Sequence, residues 1–131
     1  MEAEDVVYVL RNMIDAVEPG GLVLDLQVIR VNPLVEAAGE TVCEIDGEPL
    51  FATMDAATAA VDAAVAAGRL AEEAVDDHDV RKHYVNGADL VDHFSDKKRR
   101  VPDEAVPRLL ALDEPVTLRE RCRLRRLRVL R

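Results

Sequence analysis

The sequence is poor in aromatic residues and lacks any long apolar run. Phe, Trp and Tyr make up only 3% of its 131 residues, so a core must be built from Val, Leu and Ala. No segment approaches the roughly 20 apolar residues that cross a bilayer, and the acidic start lacks the blocks of a signal peptide. We therefore expect one cytoplasmic domain spanning residues 1–131.

Motifs for catalysis and nucleotide binding are also missing. None of the six glycines is spaced as G-x-G, and no GxSxG elbow, P-loop or Cys–His motif occurs. Cys43 and Cys122 stand far apart without a CxxC pair, which predicts buried thiols rather than a metal site or a disulfide. The sequence assigns no catalytic, cofactor-binding or metal-ligating residue.

The net charge of −9 is unevenly distributed. Residues 97–131 hold 12 of the 17 basic and five of the 26 acidic side chains, so this segment carries +7 and the first 96 residues carry −16. We expect the basic segment to fold back on acidic residues of the same domain or of a partner copy. The overall acidity disfavours a nucleic-acid partner, because it repels phosphate at range.

The first third of the chain predicts a helix, a tight turn and a strand. The apolar residues recur at helical spacing: Val6, Val9, Leu10, Met13, Ile14 and Val17. Pro19-Gly20-Gly21 ends this helix, because proline lacks a donor and glycine adopts positive φ without strain. The branched apolar residues of Leu22–Ile29 predict an interior strand covered on both faces.

Two further elements follow. Asp46-Gly47 lies between two apolar segments, 41–45 and 48–51, which predicts a hairpin with a type I′ turn and Pro49 on an edge. The alanine-rich stretch Asp55–Ala67 predicts a helix that Asp55 caps and Gly68 ends.

The rest of the chain predicts short helices and two strands. The second half of 70–85 favours a strand, with Asp76-Asp77-His78-Asp79 as an exposed corner. Asn86 is predicted to cap a helix through Phe94, and Pro102 to start another that runs to Leu112. Residues 116–130 alternate as a strand whose phase slips at Arg125-Arg126, as at a bulge.

The helix, the PGG turn and the following strand together resemble the C-terminal half of a class I S-adenosylmethionine-dependent methyltransferase. The matching residues are Leu10–Met13 and Glu18–Leu24. The resemblance implies a Rossmann-like α/β fold, a small mixed sheet with flanking helices. It makes Asp55–Ala67 the next helix, the 75–84 region the sixth strand and 116–130 the seventh, inserted beside the fifth.

The parts of that family that bind the cofactor have no counterpart in the sequence. These are a glycine-rich loop, an acidic residue that holds the ribose and contacts after the fourth strand. The resemblance therefore implies that the isolated chain binds no cofactor, and S-adenosylmethionine only if another chain completes it. It also leaves the edge of the Leu22–Ile29 strand uncovered, so we expect a homodimer or a partner chain there.

Two charged groups of residues are candidate sites. His78, His83 and His93 lie among aspartates, but His78 and His83 are five residues apart, so a solvated acidic corner is favoured over a metal site. Arg119, Arg121, Arg123 and Arg125 could bind phosphates, but such a row is usually the solvated face of a strand. The basic stretch 97–100 is likewise predicted to be an exposed loop.

Three functional hypotheses follow from the sequence. The leading one is a methyltransferase-like module, not catalytic alone, that acts through self- or partner association. The second is the substrate-side part of a methyltransferase completed by another chain. The third is a nucleic-acid-binding module that uses the arginine row.

Overall fold

The structure is a computed structural model that describes the backbone of residues 3–130 and the side chains of Asp5 and residues 7–130. Over these described residues, four α-helices and five strands follow one another. In order they are α1 (Ala3–Ala16), β1 (Leu22–Val28), β2 (Leu34–Ala37), β3 (Glu40–Glu44), α2 (Leu50–Ala66), β4 (Leu70–Tyr84), α3 (Gly87–His93), α4 (Val106–Leu110) and β5 (Val116–Val129).

The strands form an antiparallel sheet around β5. β5 pairs with β1, β2 and β4, and β2 also pairs with β3. The register places Leu24 opposite Arg126 in the β1–β5 pair and Val35 opposite Leu118 in the β2–β5 pair. The predicted α/β class with flanking helices is confirmed, but the predicted mixed sheet is wrong, because the strands of this sheet pair antiparallel.

The chain divides into two compact units. Within the described residues, the first unit comprises the chain up to Ile29, Phe51–His78 and the chain from Cys122 onward, and the second comprises Arg30–Leu50 and Asp79–Arg121. β4 and β5 thus each contribute residues to both units.

The core of the first unit lies between its helices and its strands. Ile14 of α1 and Val61 of α2 are each 2% exposed, and they pack with residues of β1, β4 and β5. The buried residues of this core are Ile14, Val23, Val61, Leu70, Leu127 and Val129.

The core of the second unit joins α3 and α4 to the β2–β3 hairpin. Leu90, Leu109 and Leu118 are fully buried in it. The two helices approach closely at Gly87, where an added Cβ would lie 1.8 Å from the carbonyl oxygen of Leu109. Any larger residue would clash there, so glycine at position 87 allows the two helices to pack closely.

The helix and the turn at the start of the chain are confirmed. Gly20 has φ +86°, the left-handed value that glycine tolerates, and its amide donates to the carbonyl of Val129 at 2.8 Å. Of the predicted stripe, Leu10, Ile14 and Val17 pack into the core, whereas Val9 and Met13 are about two-fifths exposed. The side chain of Val6 lies outside the described residues.

The strand after this turn is confirmed, but its predicted cover on both faces is wrong. Residues of β1 alternate between exposed and buried, with Leu24 63% and Val23 3% exposed. The first unit's core packs against one side of β1 only, so the alternate leucines remain in water.

The predicted Asp46-Gly47 hairpin is also wrong. The hairpin joins β2 to β3, and its turn uses Ala38 (φ +51°) and Gly39 (φ +80°). Asp46 forms an isolated bridge with Arg100 instead, and Pro49 precedes α2 rather than lying on a strand edge.

The helix predicted at Asp55–Ala67 exists but begins earlier, at Leu50, so Asp55 is an interior residue rather than a cap. Gly68 (φ +76°) follows its end, as predicted. The strand predicted for the second half of 70–85 covers the whole of Leu70–Tyr84. Its acidic segment 76–79 is therefore part of the strand and not a corner.

The two short helices predicted after position 85 are present, although the second is divided. The Asn86 side chain accepts a hydrogen bond from the Asp89 amide at 2.9 Å and caps α3, as predicted. The helix predicted from Pro102 divides into a 3₁₀ turn, Asp103–Ala105, and α4.

The β1–β5 register is continuous from Cys122 to Arg128, so this strand pair has no bulge at the predicted position Arg125-Arg126. Buried residues of β5 are even-numbered from Val116 to Cys122 and odd-numbered from Arg125 onward. The phase of burial changes at Arg123-Leu124, next to the point where β5 passes between units.

Candidate functional site

β1 presents a row of exposed leucines. Leu22, Leu24 and Leu26 are 41%, 63% and 59% exposed, whereas Val23 and Gln27 on the opposite face of the strand are buried. Among the described strands, β1 pairs with β5 alone, so its other side is an open edge. This edge with its leucines is called the β1 edge below.

The other edge strands carry more charged residues than the β1 edge. β4 contains seven Asp, Glu, Arg and Lys residues among its 15, and β3 has only five residues and begins and ends with glutamate. Charges and short length discourage a second chain from pairing with an edge. The only charged residue of β1 is Asp25, and the Gln27 side chain donates to both of its carboxylate oxygens at 2.9 Å.

The arginine row is paired with carboxylates in the first unit. Arg123 donates to Asp77 through two nitrogens, at 2.8 and 3.0 Å, and this hydrogen bonding raises the pKa of Arg123. Arg125 is not on a solvated face, since it is 7% exposed and binds Glu72 and Asp62.

The remaining arginines of the row are paired within the second unit. Arg121 lies 3.2 Å from Asp79, and Arg119 lies 3.4 Å from Glu36 and 3.9 Å from the same Asp79. The prediction that the basic segment folds back on acidic residues is confirmed. Each arginine of the row thus faces a carboxylate rather than offering a free charge to phosphate.

The second unit also holds a buried ion pair that the sequence reasoning missed. Arg99 donates to Glu120 at 2.5 Å, with their side chains 9% and 2% exposed, and Lys82 lies 3.5 Å from the same carboxylate oxygen. Arg99 is thus an exception to the exposed loop predicted for 97–100. The position of Glu120 among alternately buried residues of β5 is the signal that could have revealed it.

This ion pair affects a neighbouring phenol. Burial is the main cause that raises the pKa of Tyr84, the charge of Glu120 raises it further, and Arg99 lowers it. The ring of Tyr84 also lies 5.5 Å from that of His93. Buried charge and a buried phenol with a raised pKa mark a place where substitutions have large effects.

The histidines do not meet. His78 contacts the Asp76 carboxylate at 3.0 Å, His83 lies 3.3 Å from the Thr117 hydroxyl, and His93 packs on Phe94. In the part of the chain that the structure describes, no three His, Cys, Asp or Glu side chains converge as metal ligands do.

The two cysteines are buried free thiols, as predicted. Burial is the main cause that raises the pKa of Cys43; the charge of Arg108 lowers it, and that of Glu104 raises it. A buried thiol with a raised pKa is a poor nucleophile, because the thiolate is the reactive form.

The second unit has a cavity of about 290 Å³ beside α3, with apolar walls and basic residues at its rim. The first unit has a groove of about 230 Å³ between α1 and α2, lined mainly by alanines and by apolar residues of α1. Neither contains the buried ion pair in its lining.

Compared with protein-family models, with curated proteins and with solved structures, the chain matches none. None of the helices over residues 3–130 has the length and apolar character needed to cross a membrane.

Proposed function

We propose that this chain is a methyltransferase-like association module, not catalytic alone, which acts by pairing with a second copy of itself through the β1 edge. The observation that carries the proposal is the contrast among edge strands. β4 is charged and β3 is short, whereas β1 offers seven residues with a row of exposed leucines. An edge of that kind is a template for another strand.

Burial of the leucine row is the driving force. Leu24 and Leu26 are about three-fifths exposed, and Leu26 lies opposite Leu124 of β5, which widens the apolar strip. A leucine side chain removed from water contributes about 1.5–3 kcal/mol. In a two-fold dimer both copies contribute the same leucines and each contact is formed twice, so a short strip is sufficient for association.

The sequence of β1 is self-complementary in one antiparallel register. With the two-fold axis at Leu24, each Leu22 faces the partner's Leu26, and each Asp25 faces the partner's Val23. An axis at Asp25 would instead place the two Asp25 carboxylates opposite each other, which is destabilising. We therefore infer pairing centred on Leu24.

The resemblance to a methyltransferase C-terminal half supports the proposal. β5 is antiparallel to β1 and also pairs with β4, and α2 directly precedes β4 along the chain. Apart from the β2–β3 hairpin, that order is the one the resemblance implies, with the last strand inserted beside the fifth. In that family the fifth strand has another strand on its free side, so this edge is suited to a strand.

The test is sedimentation equilibrium of the wild-type chain and of Leu24→Asp. Because two leucines are replaced per dimer, we expect the substitution to weaken dimerisation at least ~100-fold. The matched control is Leu110→Asp, a 53% exposed leucine of α4, which should leave the association unchanged. A wild-type chain that stays monomeric up to ~1 mM would overturn the proposal.

The second candidate function is the substrate-side part of a methyltransferase completed by another chain, and the same strand order favours it. Calorimetric titration with S-adenosylmethionine and S-adenosylhomocysteine separates the two. The association module predicts no saturable heat for the chain alone. Saturable binding at one site per chain would favour the enzyme.

A further inference from the structure

The cavity beside α3 in the second unit has a preformed apolar wall. Val91, Phe94, Val101 and Val106 line it. Phe94 is 5% exposed, and the guanidinium carbon of Arg99 lies 5.2 Å from its ring centroid. Because the ring is held by this contact and by burial, a ligand would not have to order it.

Two cations lie at the rim of the same cavity. The side chains of Lys97 and Arg100 line it, and both residues are exposed. Neither forms an ion pair with another residue between positions 3 and 130, whereas Arg119 and the other arginines of the row face carboxylates. The backbone of Arg100 is fixed by two hydrogen bonds with Asp46, at 2.9 and 3.0 Å.

We propose that this cavity binds a small organic anion with an apolar tail, of the class of medium-chain carboxylates. Its volume of about 290 Å³ suits a small molecule. The apolar wall would cover the tail, and Lys97 and Arg100 would donate charge-assisted hydrogen bonds to the carboxylate. A neutral ligand with a tail of the same length would leave both cations without a partner. The positive charges of Lys97 and Arg100 therefore favour an anionic ligand.

The test uses octanoate as the ligand, titrated into the full chain by calorimetry, with amide chemical shifts recorded in parallel. We expect saturable binding with a dissociation constant of ~1 mM or tighter, and shifts concentrated around Phe94 and Val101. From hexanoate to octanoate, each methylene should tighten binding by up to about fourfold, because it buries more apolar surface.

Two double variants with the same change in net charge distinguish the effect of the two rim cations on binding from the effect of the protein's overall charge. Lys97→Glu with Arg100→Glu should weaken octanoate binding at least ~10-fold. Arg81→Glu with Arg108→Glu alters two exposed arginines of the same unit that do not line this cavity, and should leave binding unchanged.

Three results would overturn the proposal. They are no saturable binding of octanoate to the wild-type chain, equal binding of octan-1-ol, and equal weakening in both double variants. Since none of these depends on the β1 edge, the outcome is independent of whether the chain dimerises.

Discussion

The two units bury a charged residue of β5 in different ways. In the second unit Glu120 is 2% exposed, and its partner Arg99 is buried as well. In the first unit Arg125 is buried, but its partners Asp62 and Glu72 keep 61% and 34% of their side-chain surface in water. The cost of removing a charge therefore depends on whether the partner that remains can be solvated.

The largest expected effect is that of Glu120→Ala in the second unit. It leaves the Arg99 guanidinium buried without a carboxylate, and such a loss costs about 3–5 kcal/mol. Urea unfolding measures the free energy of unfolding. The matched double variant Arg99→Met with Glu120→Leu removes both charges and should recover most of the loss. A loss below ~1 kcal/mol for Glu120→Ala would contradict the account.

A smaller effect is expected for Arg125→Met in the first unit. Methionine keeps the apolar stem of the side chain, and the carboxylates of Asp62 and Glu72 remain hydrated, so we expect a loss of about 1 kcal/mol. The same urea experiment measures it. If this substitution cost as much as Glu120→Ala, exposure of the partner would not be the deciding factor.

The phenol of Tyr84 provides a spectroscopic measure of the buried pair. Burial and the Glu120 charge raise its pKa above the ordinary value of 10.0. Glu120→Gln removes the charge and keeps the shape, so the pKa should fall, whereas Arg99→Met should raise it. Ultraviolet titration follows the tyrosinate, and Tyr8, 64% exposed, is an internal reference. If the pKa of Tyr84 changed in neither variant, the phenol would not respond to the buried pair, and the prediction would be wrong.

The same phenol predicts a dependence of stability on alkaline pH. Its folded pKa lies above that of the unfolded chain, so its contribution is complete below pH 10.0 and is lost as pH rises through the folded value.

The smallest effect concerns Glu73 of the first unit. A hydrogen bond from Arg128 is the largest cause that lowers its pKa below 4.5, and Arg126 adds to it. Its contribution to stability is therefore present above pH 4.5 and is lost as pH falls through the folded value. Glu73→Gln should make the free energy of unfolding less sensitive to acid, while Glu114→Gln, on an exposed loop, should not. Equal acid sensitivity in both variants would contradict this assignment.

The sequence correctly predicted helix ends that depend on residues close by in the chain. Proline and glycine at 19–21 end α1, and Asn86 caps α3 through its own side chain. The β2–β3 turn escaped prediction because Ala38 adopts a positive φ that alanine rarely takes.

Elements that depend on distant partners could not be read locally. β4 has no apolar alternation, since its Asp77 and Glu72 bind arginines of β5 about 50 positions later. The burial of Arg99 and Glu120 likewise follows from their pairing with each other. The exposure of Leu24 depends on which side of β1 the helices cover, and the composition of β1 does not contain that information.

Amide hydrogen exchange at ~10 μM and ~1 mM protein tests the association of β1 most directly. If a second copy pairs with the β1 edge, protection of the amides of Leu22–Val28 should rise with concentration, while those of β3, the other short edge strand, stay constant. Equal exchange of β1 at both concentrations would contradict the account.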